Sequence, residues 1–201
     1  MRLLRHNFSI SGPVQATSVN VLSKAKRLTI ILLISVLLII AISLSANAYT
    51  ILSRWRYSGG NMTVTYAWGA SMPFSSDWKT AFNAAASDWS AAPTNVDYAY
   101  YSASGNKLGI VDKPGGSAGY FWGATDAYGY LTSFSAAGNI NQAVTGTYTS
   151  TMKRSTAGHE LGHGLGLGEE NLRAALMNQN RNRSTVYKPQ QDDTDGVNFL
   201  Y

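Results

Sequence analysis

The chain has 201 residues, 45% hydrophobic and only 13% charged, which is enough for one domain with a sizeable core and not obviously for two. It contains no cysteine, so disulfides and cysteine-based metal sites are excluded. The formal net charge of +5 is carried by Arg2, Arg5, Lys24, Lys26 and Arg27 at the N-terminal end. Residues 49–201 hold equal numbers of both signs, and the basic balance is therefore no sign of nucleic-acid binding.

Residues 28–44, LTIILLISVLLIIAISL, form an apolar run behind that basic cluster, and Ala46-Asn47-Ala48 follows. A basic region, an apolar stretch and a small-x-small site describe a secretory signal peptide spanning 1–48, cleaved after Ala48. Its basic region is long, and a translation start near Val21 or Leu22 would account for that. An uncleaved membrane anchor is the alternative, although the run is slightly short for a span of about 20 residues. The expected product is a secreted, extracellular single domain, 49–201, without internal repeats or long linkers and monomeric.

Along that domain, Met62 to Trp68 places large apolar side chains at every second position, the pattern of a strand with one buried face. Ser75 or Ser76 then offers an N-cap. Trp78, Ala81, Phe82, Ala85, Ala86 and Trp89 recur at helical spacing, predicting an amphipathic helix that ends before Pro93. Short strands are expected at Val96–Tyr101 and Lys107–Val111, around a Ser-Gly-Asn turn. Residues 114–130 are rich in glycine and aromatics and read as a loop, with Asp112 or Asp126 as candidate calcium ligands. Tyr130–Phe134 and Gly138–Ala143 each read as a strand. Ser150–Leu165 is the next helix, and Pro189–Tyr201, acidic at its start, is the last. This order of elements specifies an α+β domain with a mixed sheet.

The chemistry concentrates in one segment. His159 and His163 are four residues apart, so a helix brings both imidazoles to one face where they can share a cation. Glu160 lies beside the first and can accept a proton from a metal-activated water. Random placement yields this HExxH pattern about once in a thousand such chains. All three glutamates, Glu160, Glu169 and Glu170, and both histidines of 49–201 fall within twelve residues. Catalytic zinc takes three protein ligands and leaves one position open. The third cannot be histidine, because the only other one is His6. Gly166 can turn the chain back, which makes Glu169 the expected third ligand and Glu170 its competitor.

His159-Glu160-Leu161-Gly162-His163-Gly164-Leu165-Gly166-Leu167-Gly168-Glu169 resembles the metzincin signature HExxHxxGxx plus a third ligand. Ala175-Leu176-Met177-Asn178 looks like the Met-turn of that family, with Met177 eight residues after Glu169 as in the matrixin branch. Gln191-Asp192-Asp193-Thr194-Asp195-Gly196 through Tyr201 is similar to its last helix. Trp55, Val64-Thr65-Tyr66, Ala81-Phe82 and Trp89 extend the resemblance more weakly over nearly all of 49–201. The resemblance implies a metzincin-like fold and a zinc metalloendopeptidase acting on protein or peptide substrates. It further implies one catalytic zinc held by His159, His163 and Glu169, with Glu160 as general base. An upper edge strand, Tyr130–Phe134 or Gly138–Ala143, would pair with extended substrate. Residues 178–188 would form the wall of the pocket receiving the side chain after the cleaved bond. Two features depart from the family: glutamate stands where the third histidine is usual, and the histidines of a second, structural zinc site are missing. The alternative function is an inactive secreted or surface binding domain that keeps the fold.

Overall fold

The computed structural model describes Lys26 and residues 29–32, 49–172 and 174–201, and the chain divides into two units, 1–46 and 47–201. In the first unit, Lys26 and residues 29–32 are helical. The Ala46-Asn47-Ala48 cleavage site, the rest of the apolar run and the alternative start lie outside the described residues. No helix among the described residues is long and apolar enough to cross a membrane.

The second unit contains, in chain order, β1 (Arg54–Trp55), β2 (Met62–Trp68), α1 (Asp77–Ser90), β3 (Val96–Tyr100), β4 (Lys107–Val111), β5 (Gly119–Thr125), β6 (Tyr130–Asn139), α2 (Gln142–Thr145), α3 (Ser150–Gly164) and α4 (Gln191–Leu200). The sheet runs β1-β6-β4-β2-β3, with β5 added beside β6. β5 alone is antiparallel, pairing Gly119 with Gly138 and Tyr120 with Ala137; the other pairings are parallel. The sheet is therefore mixed, and the domain is α+β as expected from the sequence.

Helix α1 begins at Ser76, whose side chain accepts a hydrogen bond from the Trp78 amide at 3.2 Å, satisfying one of the otherwise orphaned first-turn donors. Its six apolar positions of helical period are all buried. They face α3 and strands β3 and β4 and join Val64, Tyr66, Leu108, Phe134, Leu161 and Leu176 in one core. Trp89 also ties the two helices covalently remote from each other, its indole N–H donating to the Gly158 carbonyl of α3 at 2.8 Å.

Two expectations are corrected. The loop read over 114–130 contains the edge strand β5. Most of its side chains are exposed or half-buried, so no period-two hydrophobic signal marks it, and its strand character comes from backbone pairing with β6. The strands expected at Tyr130–Phe134 and Gly138–Ala143 are replaced by one strand ending at Asn139. Its second half, Ser135-Ala136-Ala137-Gly138, has weak intrinsic strand preference, yet it is central, paired to β4 and β5. Gly138 is needed there because a Cβ would enter the Trp78 indole. Asn141 then caps α2 through the Ala143 amide at 3.2 Å. The free edge beside the helices is consequently β5, and not either segment named from sequence.

Because Trp89 is 1% exposed and supplies both area and a buried hydrogen bond, Trp89→Ala should cost about 3–5 kcal/mol. Urea unfolding of both proteins measures this; a loss below about 1 kcal/mol would show that the α1–α3 contact is not central to the core.

Candidate metal centre

Helix α3 starts at Thr149, which caps the Met152 amide, and becomes fully buried from Ser155 onward. His159 and His163 stand one turn apart on it, ring centroids 4.7 Å from each other. Each ring is oriented by its Nδ1. That of His163 donates to the Leu167 carbonyl at 2.8 Å, and that of His159 lies 2.9 Å from the Leu176 carbonyl. Donation from Nδ1 leaves both Nε2 atoms as lone-pair donors.

The helix ends at Gly164, and Gly166 takes φ +97°, a left-handed conformation that reverses the chain. A strap from the N-terminal end of the domain holds the reversed segment. Leu52 donates to Gly166 O at 2.8 Å and Gly168 donates to Thr50 O at 2.8 Å, Ile51 bridges Leu167, and the Thr50 hydroxyl donates to Glu169 O at 2.5 Å.

Glu169 emerges from this strap with Oε1 3.3 Å from the Nε2 of both histidines. Among the described residues, His159, His163 and Glu169 are the one group of three or more potential ligands gathered closely enough to share an ion. Glu169 Oε2 is buried and has no hydrogen-bond partner. Two imidazole nitrogens and a carboxylate, one of whose oxygens is buried and unsatisfied, fit a zinc ion with an open position. Glu170 does not join them. It is buried and turned away, accepting hydrogen bonds from the amides of Asn171 and Leu172, so it shapes the loop.

Below the histidines lies Met177, 3% exposed. Its sulfur occupies the space that a Cβ at position 162 would need, so Gly162 lets this turn pack directly under α3. The turn is fixed by Asp193 of α4, whose carboxylate accepts the Leu176 amide at 2.7 Å, the Met177 amide at 3.0 Å and the Gln190 amide at 2.7 Å. The same Leu176 peptide unit orients His159 through its carbonyl.

Glu160 points between α3 and the start of β5, so close to Gly119 that a side chain at that position would overlap its carboxyl. Burial pushes Glu160 up to about 7, opposed by the nearby His163. Burial also raises Glu169, but the close contact with both imidazoles outweighs it and holds this carboxyl far below its usual range. The two rings differ. Burial pushes His159 down, whereas in His163 the effect of burial is exceeded by Glu169, which raises it.

These groups line a cleft of about 600 Å³ with residues 116–121 on one side and Gln179, Asn180, Arg181 and Arg183 on another. Arg181 is a residue that sequence patterning missed, because the irregular segment after Met177 has no period to expose it. Its guanidinium holds Ser155 through Oγ and O, each at 2.9 Å, and Asn178 O at 3.0 Å. Burial, then Arg183, push it down to about 10, so it stays charged at neutral pH. The calcium candidates have other partners. Asp126 accepts from the Tyr128 and Tyr130 amides and pairs with Arg56, and Asp112 accepts from Asn141.

The sequence profile described as Matrixin, a peptidase family, matches residues 75–201. The chain belongs to the matrixin family. The family is one of zinc metallopeptidases, and the mixed α+β domain agrees with membership. The soybean (Glycine max) protein Metalloendoproteinase 1 is 28% identical over 163 residues, 73% of this chain and 52% of that protein; the chain thus spans about half the length of this relative. A solved structure, the GM1-bound form of the ECX AB5 holotoxin, matches at 15% identity and a TM-score of 0.46 over 69% of this chain and 79% of that one.

Glu169→Gln should weaken zinc binding about 10-fold or more, whereas Glu170→Gln should leave it within about twofold. Competition against a chelating dye reads both affinities, and the reverse pattern would make Glu170 the ligand.

Proposed function

We propose that this matrixin is an exported zinc-dependent endopeptidase. The observation that carries the proposal is the convergence of Glu169 Oε1 on both histidine Nε2 atoms at 3.3 Å, beside a buried glutamate facing the cleft. His159, His163 and Glu169 would hold the zinc, which supplies Lewis-acid polarisation of the scissile carbonyl and of water.

The protein's own groups do the rest. Glu160 takes the proton of the attacking water and returns it to the leaving amine. A carboxyl raised to about 7 by burial is suited to that exchange near neutral pH. The free edge of β5 runs past Glu160 and offers backbone donors and acceptors to an extended peptide, a mode that gives affinity with little demand on sequence. Leu176 O and Leu167 O keep the two imidazoles in one orientation, so that the reaction meets a site already arranged.

Glu160→Gln should lower cleavage of a denatured protein substrate by about 10²–10⁴-fold while zinc stoichiometry stays the same. Retained cleavage would remove Glu160 from the chemistry. Loss of zinc together with activity would make Glu160 a structural residue. Absence of cleavage in the zinc-loaded wild type would favour a binding domain.

Export rests on the basic cluster, the apolar run and Ala46-Asn47-Ala48. The expected product in the culture medium begins at Tyr49, read by N-terminal sequencing; a cell-bound protein retaining residues 28–44 would indicate an anchor instead.

A further inference from the structure

Two guanidinium groups line the same cleft as Glu160 and Glu169, those of Arg181 and Arg183, and the hydrolytic chemistry uses neither. Their surroundings differ. Arg181 is 7% exposed, its three nitrogens are held by Ser155 and Asn178, and its Nη1 also lies 3.1 Å from His159 Nδ1, so it is a fixed charge in the wall. Arg183 is half-buried. Its Nε is buried with no hydrogen-bond partner, and its Nη2 makes one long contact, 3.4 Å, to the Gln179 carbonyl.

Among the described residues, neither guanidinium takes part in an ion pair with a carboxylate. The acids nearby, Glu160 among them, act on them only through space and make no direct ion pair. Glu169 is shared between two imidazoles, and Glu160 faces Gly119. Leaving a buried guanidinium N–H unmatched is costly, and two unpaired arginines side by side repel each other. Their arrangement makes sense when a ligand supplies the missing anion. Guanidinium is the cation whose planar fork matches a carboxylate.

We infer that the cleft of this peptidase receives an acidic side chain, Asp or Glu, of its peptide substrate, with Arg183 as the residue that pairs with it and Arg181 as a fixed positive charge behind it. The inference rests on the peptidase reading and adds a substrate class to it. Position along the chain agrees: both arginines follow the Met177 turn by only four and six residues, so a side chain docked on them lies next to the reacting groups. A peptide's C-terminal carboxylate offers the same chemistry and must be separated from a side chain by experiment.

The test uses the zinc-loaded full chain carrying Glu160→Gln, so that binding is read without turnover. Its ligands are N-acetylated, C-amidated peptides, neutral except for one Glu scanned through successive positions, each paired with its Gln counterpart. At one position the Glu peptide should bind about tenfold more tightly, and adding Arg183→Gln should bring the pair to within about twofold. The Arg183→Gln protein must retain zinc, which reports that it is folded; if it does not, Arg183→Lys replaces it and should keep the sign of the preference with a smaller ratio. Equal binding of Glu and Gln peptides at every position overturns the inference. So does a preference that survives Arg183→Gln, or a gain produced only by a free C-terminal carboxylate. Cleavage of the neutral peptide by the protein with Glu160 intact is recorded in parallel. If it is cleaved and no acidic preference exists, only the acidic pocket fails. If the acidic preference exists and nothing is cleaved, the pocket stands and the peptidase reading fails.

Discussion

The geometry of this domain turns on one requirement: a carboxylate from outside a helix must return to two imidazoles fixed on it. His159 and His163 need only a helical turn between them. Glu169 must come back across the helix end within six residues of His163, and that is possible because Gly166 adopts φ +97°. The reversed segment has few partners of its own. It is held by Thr50, Ile51 and Leu52, residues more than 110 positions away in sequence, so the third ligand is positioned by long-range backbone pairing. Beneath it, Met177 and Asp193 fix the Leu176 peptide that orients His159. Helix, strap, turn and last helix therefore meet at one point, and each would be looser without the others.

Electrostatics make that point sensitive. Two carboxyls, two imidazoles and two guanidiniums share one cleft, several of them buried, and burial alone would neutralise the acids. They are kept apart in character by their partners. Glu169 stays ionised because both imidazoles lie against it, while Glu160, lacking such partners, titrates close to neutral pH. A single fold thus places one carboxyl suited to binding a cation next to another suited to exchanging a proton, with identical side chains and different environments.

Much of this was legible in the sequence. The α1 face was readable to the residue because Trp78, Phe82 and Trp89 are large and strictly periodic. HExxH was readable because residue type and spacing are both demanding, and Gly166 pointed to Glu169. The structure sets that residue beside the histidines and turns Glu170 away. Other features left no local trace. β5 is mostly exposed, so its strand character exists only in pairing with β6. The second half of β6 is built from alanine, serine and glycine, chosen by what packs on them, Trp78 above all. The strap of residues 50–52 and the anchoring of Arg181 to Ser155 depend on partners distant in sequence, and periodicity contains no information about those.

The packing of Met177 beneath Gly162 has a consequence for oxidative chemistry. The chain has no cysteine, so its fold is indifferent to the thiol–disulfide potential of its surroundings. The sulfur that matters to the site is the Met177 thioether, which fills the gap left by the missing Cβ. A sulfoxide oxygen there would need room that the close approach of α3 denies, and would bring a polar group into an apolar floor. At 3% exposure the thioether is shielded from peroxide as long as α3 and the turn stay together. Oxidative damage to this site is thereby coupled to opening of the domain: the folded protein protects the sulfur, and a molecule oxidised while open would find it harder to close.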